Sequence, residues 1–367
     1  AASTRTAERS DGRVGGLVGY RIRRDTNGGP RTRTEVVTEG VLTRILQHDP
    51  ALEEYGLVIF DEFHERNLNG DLGLALTLQT QTLLRPDLRI LVMSATLDGA
   101  PVSALLGDAP IVTSEGKSFP VETRWIPRRQ DQRIEAAVAG SIRQALEHHT
   151  GDVLAFLPGA GEIHRTRSLL APASPEGASP EGSPSAISDI IPLFGMLPQG
   201  DQDRAIRPSP AGRRKVVLAT SIAETSLTIE GVRVVVDSGL SRVPRFSPAS
   251  GMTRLATVRV SRASADQRRG RAGRTAPGIC YRLWAQAEES GLIPRTTPEI
   301  READLAPLAL DLAAQGITDP GTLRWLDPPP AGAFAHAREL LRELGAVDDT
   351  GRITDHGRAV ALLPVHP

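Results

Sequence analysis

The chain has 367 residues, 40% of them hydrophobic and 24% charged, with a formal net charge of −1. That length suits two or three domains with buried cores, and the balanced charge excludes a uniformly polybasic binder while allowing a local basic groove. A lone cysteine, Cys280, excludes a disulfide framework and a CxxC metal site, and no apolar run reaches membrane-spanning length, so a cytoplasmic protein is expected.

Only two lysines occur, Lys117 and Lys215; every other cationic side chain is arginine. The opening Ala1-Ala2-Ser3-Thr4-Arg5-Thr6-Ala7-Glu8-Arg9 reads like the middle of a helix, and the ends are expected to lie inside a longer protein. Glu39–Gln47 is the first strong helical pattern, with Thr38 at its head. The apolar run Leu57–Phe60 predicts a buried strand, Asp71–Leu84 a helix, and Arg89–Met93 a second strand. Phe119-Pro120-Val121-Glu122 reads as a junction. Beyond it, helices Arg133–His148 and Gly161–Leu170 alternate with strands Val153–Leu157, Lys215–Ala219 and Val232–Val236, which predicts βαβ units and parallel sheets.

Residues 171–185 carry Ala-Ser-Pro-Glu-Gly twice in tandem, a composition that cannot bury a core and predicts a disordered surface insertion. Leu240–Val260 reads as two strands around Ser247-Pro248-Ala249-Ser250-Gly251. From about residue 289 the strands stop. Asp304–Gln315, Ala333–Leu344 and Asp355–Leu363 read as helices, with Asp327-Pro328-Pro329-Pro330 as a breaker.

Ligands of open α/β sheets bind beyond the carboxyl ends of the strands, where Asp61, Ser94, Gly159 and Thr220 fall. Asp61-Glu62-Phe63-His64-Glu65-Arg66 directly follows the strand Leu57–Phe60. A carboxylate there can hold the magnesium of a nucleotide, and its neighbour can orient and deprotonate an attacking water. A charged turn without chemistry is the plainer alternative. In Gln267-Arg268-Arg269-Gly270-Arg271-Ala272-Gly273-Arg274, helical spacing places Gln267, Arg271 and Arg274 on one face, where two guanidinium groups can meet a γ-phosphate. Thr38 is equally readable as a helix cap, and the segment from Thr220 to Glu230 as a polar loop.

Asp61–Arg66 resembles motif II of the DEAH helicases, and Ser94-Ala95-Thr96 their motif III. Gln267–Arg274 resembles motif VI, Ala219–Gly231 motif V, Phe156-Leu157-Pro158-Gly159 motif IV and Thr38–Arg44 motif Ib. Gly19-Tyr20-Arg21-Ile22-Arg23 resembles a stretch upstream of that last motif. Phe156–Ile163, Pro192–Pro198, Asp237–Leu240 and Trp325–Pro329 resemble the bacterial HrpB branch. The resemblance runs through nearly the whole chain outside the insertion.

It implies two RecA-like α/β domains with parallel sheets, 1–117 (incomplete) and 118–288, followed by a partial winged-helix and ratchet unit at 289–367. It implies an ATP-dependent helicase, using ATP and Mg2+ between its domains and moving on single-stranded nucleic acid, RNA more than DNA. Asp61 and Glu62 would hold metal and activate water, with His64 also in the catalytic set. Ser226, Glu230, Gln267, Arg271 and Arg274 would contact nucleotide. Ser94 and Thr96 would couple nucleotide state to movement. Arg23, Thr38, Gly40, Arg44, Gly159 and Thr220 would contact the strand. The segment Leu240–Val260 would form a hairpin beside it. No oligomeric state is implied.

One part of the pattern is missing. No Gly-x-x-x-x-Gly-Lys-[Ser/Thr] phosphate cradle precedes Asp61, and no lysine precedes Lys117. Gly116-Lys117-Ser118 lacks the upstream glycine, where Ile111 stands, and is followed by Pro120. The 367 residues are therefore expected to hydrolyse ATP poorly. The alternatives are an ATP-inactive module that binds nucleic acid or a partner, and a different magnesium hydrolase.

Overall fold

Short runs of Val, Ile, Leu and Phe suit strands covered on both faces, the condition of a parallel sheet. The computed structural model describes residues 14–22, 25–95, 99–114, 116, 118–171, 187–210, 212–224, 229–247, 250–363 and 366. It divides into two compact units, one of Ala1–Thr113, Arg245–Arg254 and Thr297–Pro367, the other of Ser114–Pro244 and Leu255–Thr296. The expected sites Arg23, Thr96 and Ser226, Lys117 and the tandem repeats lie outside the described residues.

The first unit opens with strands β1 (Val18–Ile22), β2 (Asp25–Asn27) and β3 (Thr34–Val37) in the order β2-β1-β3. Helix α1 (Glu39–His48) leads to β4 (Leu57–Phe60), which crosses through α2 (Leu68–Leu83) to pair in parallel with β5 (Arg89–Val92). Asn67 starts α2 by accepting from the Gly70 N–H at 2.7 Å. A short helix, α3 (Gly99–Leu105), follows.

In the second unit β6 (Val121–Trp125), α4 (Ile134–His148), β7 (Asp152–Phe156), α5 (Ala160–Leu170), β8 (Ile187–Leu193), α6 (Gln199–Ile206), β9 (Arg214–Ala219) and β10 (Val232–Asp237) succeed one another. After β11 (Leu240–Ser247) and β12 (Met252–Arg259) come α7 (Arg262–Gly270) and β13 (Gly278–Arg282). Six of these strands form one sheet, in the order β6-β13-β10-β7-β9-β8, and its pairings are parallel. Strand periodicity splits its side chains cleanly. Val153, Ala155, Val216, Leu218, Val234 and Val236 face α4 and α5, whereas Leu154, Phe156, Val217, Ala219 and Val235 face Ala205 of α6 and Ala272.

The carboxyl-terminal helices are α8 (Ala306–Ala314), α9 (Ala331–Glu343) and α10 (Asp355–Leu362). Their apolar faces join the first unit's core. Leu308 and Leu312, with Phe334 and Leu341 behind them, cluster with Leu46, Leu72 and Leu76.

The α/β expectation holds, and the strongly patterned elements appear within a few residues of their predicted bounds. The junction Phe119–Glu122 is different: Val121 and Glu122 begin an edge strand. Its neighbour β13 starts on Gly278 and mixes Cys, Tyr and Arg, so no apolar run marked it. A strand, not a helix, follows Gly116-Lys117-Ser118, in keeping with its rejection as a phosphate loop.

Candidate functional site

Asp61 leaves the carboxyl end of β4, and its carboxylate accepts the Glu62 N–H at 2.9 Å. Glu62 then takes a left-handed conformation, φ 50° and ψ 33°, unusual for a side chain with a Cβ. The 3-10 turn Phe63–Glu65 follows, and Arg66 closes it in the same left-handed region, φ 49° and ψ 42°. Two off-pattern residues thus bracket one turn, the kind of local strain that concentrates at functional sites.

Neighbouring backbone fixes that turn. The Phe63 N–H donates to Met93 O at 3.0 Å, and the Phe63 ring is buried against Phe60 with centroids 6.3 Å apart. His64 Nδ1 lies 3.5 Å from Glu62 Oε2 and accepts the Ala95 N–H at 3.3 Å. That bond puts the proton of a neutral ring on Nε2. The segments at Asp61 and Ser94 therefore meet at one edge, with exposed Asp61 and Ser94 beside partly buried Glu62 and His64.

Thr38 caps α1 without a side-chain cap bond. Thr38 and Arg44 are exposed, and Gly40 is half-buried in the first turn.

In the second unit Gly159 and Thr220 stand at the carboxyl edge, after β7 and β9. Gly159 is buried, and a Cβ there would run into Arg242 Nη1 and come within 3.0 Å of Glu162 Oε2. Those two side chains are paired at 3.1 Å. Thr220 is held by its N–H to Leu193 O at 3.1 Å.

Glu230 and Arg274 fall elsewhere. Glu230 is exposed in the turn before β10, next to Gly231, whose carbonyl receives the Asp152 N–H at the start of β7. Gly273 O receives the Phe119 N–H just ahead of β6. Both residues therefore mark the amino edge of the sheet, opposite Gly159 and Thr220.

The expected common face of Gln267, Arg271 and Arg274 is altered. The α-helix stops at Gly270 and tightens into a 3-10 turn over Arg271–Gly273. Gln267 is half-buried and Arg274 exposed. Arg271 is buried, its Nε donating to Glu224 O at 2.8 Å. The tighter winding turns Arg271 inward.

Sequence reasoning passed over the side chains that hold this region together. Arg268, 1% exposed, donates from Nε to Glu224 Oε1 at 2.7 Å and from Nη1 to Asp237 Oδ1 at 2.9 Å and Leu240 O at 3.1 Å. Its guanidinium lies 4.9 Å from the centre of the Phe156 ring. Burial opposes its charge, but the Glu224 and Asp237 carboxylates outweigh burial and raise its pKa. Ser264 adds a 2.7 Å bond to Glu224 Oε2. The only sequence signal was an arginine at a helix position facing the sheet, inside a motif whose other arginines drew the attention.

Comparison with known proteins gives this geometry a family. Residues 142–276 match the helicase conserved C-terminal domain, and residues 337–365 the winged-helix helicase associated domain. The chain is 48% identical to the ATP-dependent RNA helicase HrpB of Escherichia coli, over 99% of this chain and 44% of that protein. It is superimposable on the crystal structure of Escherichia coli DEAH/RHA helicase HrpB with a TM-score of 0.89, covering 98% of this chain and 44% of that one. The chain belongs to the DEAH-box helicase family. A further match is the pre-mRNA-splicing factor ATP-dependent RNA helicase prp22 of Schizosaccharomyces pombe, 39% identical over 99% of this chain and 31% of that protein. The chain thus spans less than half the length of these relatives. Within the described residues no helix is long and apolar enough to cross a membrane.

Proposed function

We propose that the protein acts as an ATP-dependent helicase in the cytoplasm, with nucleic-acid-stimulated ATP hydrolysis coupled to movement on, or unwinding of, RNA in preference to DNA. One observation carries the reading: Asp61, Glu62 and His64 emerge on a single strained turn bonded to the Ala95 backbone. Relatives named as ATP-dependent RNA helicases support it.

Among the described residues no three His, Cys, Asp or Glu side chains form a metal cage. A strand-end carboxylate suits magnesium nevertheless, since that ion keeps several waters and takes other ligands from phosphates. Asp61 and Glu62 are the residues that would hold it, and the ion would neutralise phosphate charge. Glu62 orients and deprotonates the attacking water. His64 stands beside Glu62 and accepts the Ala95 N–H next to Ser94, whose segment couples nucleotide state to movement. Gln267 and Arg274, with Ser226 and Glu230, contact the nucleotide; Arg271 joins them only when its bond to Glu224 O opens. Thr38, Gly40, Arg44, Gly159 and Thr220, with Arg23, grip the backbone of a single strand, so binding should tolerate sequence and weaken with salt.

The absent phosphate cradle leads us to expect weak hydrolysis by these 367 residues alone, because positioning dominates phosphoryl transfer. The same absence favours a second reading, an ATP-inactive module that binds nucleic acid or a partner. Hydrolysis by the chain and by the complete natural protein, with and without single-stranded RNA, separates the two. RNA-stimulated turnover in the complete protein, lost in Glu62→Gln and Arg274→Ala, is the helicase outcome. RNA binding with no turnover in either form is the module outcome. Turnover indifferent to RNA and surviving Arg274→Ala points to another magnesium hydrolase.

A further inference from the structure

The turn that carries Glu62 and His64 has a second end, and its anchors belong to the carboxyl-terminal segment of the same unit. Arg66 grips Asp71 of α2 with two bonds, Nε to Oδ1 at 2.9 Å and Nη2 to Oδ2 at 3.1 Å. Nη2 also meets Asp327 Oδ2 at 2.8 Å, and Arg301 holds the other oxygen of Asp327 at 2.7 Å. Glu299 clamps the backbone on both sides: its N–H donates to Arg66 O at 3.1 Å, and its carboxylate accepts the Leu68 N–H at 2.7 Å. The Arg66 side chain is 8% exposed and lies 5.7 Å from the centre of the Phe63 ring.

The arrangement is more than a surface ion pair. A guanidinium shared by two carboxylates in a largely buried setting has little freedom to reorient, and its planar fork fixes direction as well as charge. Arg66 also sits in the left-handed region, so tertiary contacts must hold its backbone there. Only three residues separate it from Glu62, and the bonds Glu65 N–H to Glu62 O at 2.9 Å and Arg66 N–H to Phe63 O at 3.1 Å transmit any tilt at one end to the other. Burial works against the charge of Asp327, yet Arg66 and Arg301 hold its pKa below the ordinary range.

We propose that Arg66 is a positioning residue that ties the Glu62 turn to the segment running from Glu299 to Asp327, making the geometry of the water-activating carboxylate depend on where that segment sits. This rests on the helicase reading for its consequence in turnover, though not for the mechanical link. Asp327 touches no substrate in the reading above, so its loss acts through Arg66.

The test is Asp327→Asn, with Asp327→Glu as the conservative partner. Amide hydrogen exchange in the chain is followed at Glu65 and Arg66, and ATP hydrolysis with saturating single-stranded RNA in the complete natural protein. Asp327→Asn should speed exchange of those two amides about tenfold while leaving α2 protected, a local opening rather than global unfolding. It should lower RNA-stimulated kcat several-fold at an unchanged KM for ATP, and Asp327→Glu should restore most of both. Exchange and kcat within twofold of the parent would overturn the proposal, as would equal acceleration throughout the unit. If Asp327→Asn fails to fold, Asp327→Glu and Arg301→Ala carry the test: the first should match the parent, and the second should show a weaker form of the same split. A parent with no RNA-stimulated hydrolysis would sink the helicase reading alone, leaving amide exchange to decide the link.

Discussion

Replacing Arg268 with Met tests whether the second unit is built around that guanidinium. The substitution keeps an apolar stem of similar length and strips the charge from a site where Arg268 is 1% and Asp237 0% exposed. Asp237 Oδ1 then keeps only the Gly239 N–H at 2.8 Å, and its Oδ2 already lacks a hydrogen-bond partner among the described residues. Removing one member of a buried ion pair strands the other, at a cost of about 3–5 kcal/mol. Loss of the contact with Phe156 adds about 1 kcal/mol. At roughly 2–4 °C per kcal/mol for a unit of this size, the melting midpoint should fall by about 8–24 °C. Tryptophan fluorescence reads the change, since Trp125 and Trp284 lie in this unit. The double variant Arg268→Met with Asp237→Asn should recover part of the loss, because the buried charge goes with its partner. A deficit under about 1 kcal/mol, the scale of an exposed ion pair, would refute the reasoning.

Lys215 is buried, its Nζ donating to Ala205 O at 2.9 Å and to Arg207 O at the end of α6, and burial lowers its pKa. A folded pKa below the unfolded one favours the neutral amine, so the parent should gain stability over Lys215→Met as pH climbs through the folded value towards about 10.4. Urea midpoints for both proteins across that range check the sign. Gly159→Ala should push Arg242 off Glu162 and weaken single-stranded RNA binding several-fold in a filter assay, with a smaller change in melting midpoint; unchanged binding would remove Gly159 from the strand site.

The sequence disclosed what depends on local pattern. Val153–Leu157 and Val232–Val236 read as buried strands and are strands, and the charged hexapeptide after Phe60 follows a strand end as its position suggested. It hid what depends on distant partners. Nothing near β13 announces that Cys280 and Tyr281 complete a sheet between β6 and β10. Arg268 looks like its exposed neighbours until Glu224 and Asp237, far off in sequence, surround it. The inward turn of Arg271 was hidden for the same reason, since the carbonyl it binds belongs to Glu224. The left-handed backbone at Glu62 and Arg66 was equally invisible, because neither residue type favours it and distant contacts such as those with Met93, Asp327 and Glu299 support the turn.

The two edges of the six-stranded sheet explain why Arg268 warrants such a buried cluster. On the helicase reading the carboxyl edge, with Gly159 and Thr220, takes the strand, and the amino edge, with Glu230 and Arg274, takes nucleotide. Helix α7 and its 3-10 extension run from the first to the second across one face of the sheet. Arg268 pins this rod to Asp237, the last residue of β10, and to Glu224, which follows Thr220. Arg271 fastens it again to the Glu224 carbonyl. A shift at Thr220 therefore reaches Arg274 through two guanidinium groups sharing one glutamate, with no flexible linker between them. Glu224→Gln should then separate binding from turnover in the complete protein. Neutral Gln keeps hydrogen-bonding reach towards Arg268 but drops the charge, so RNA affinity should stay within about threefold while RNA stimulation of hydrolysis falls by about tenfold, a coupling loss near 1.4 kcal/mol. Equal loss of both would mean that Glu224 merely holds the fold, and preserved stimulation would mean that the signal travels by another route.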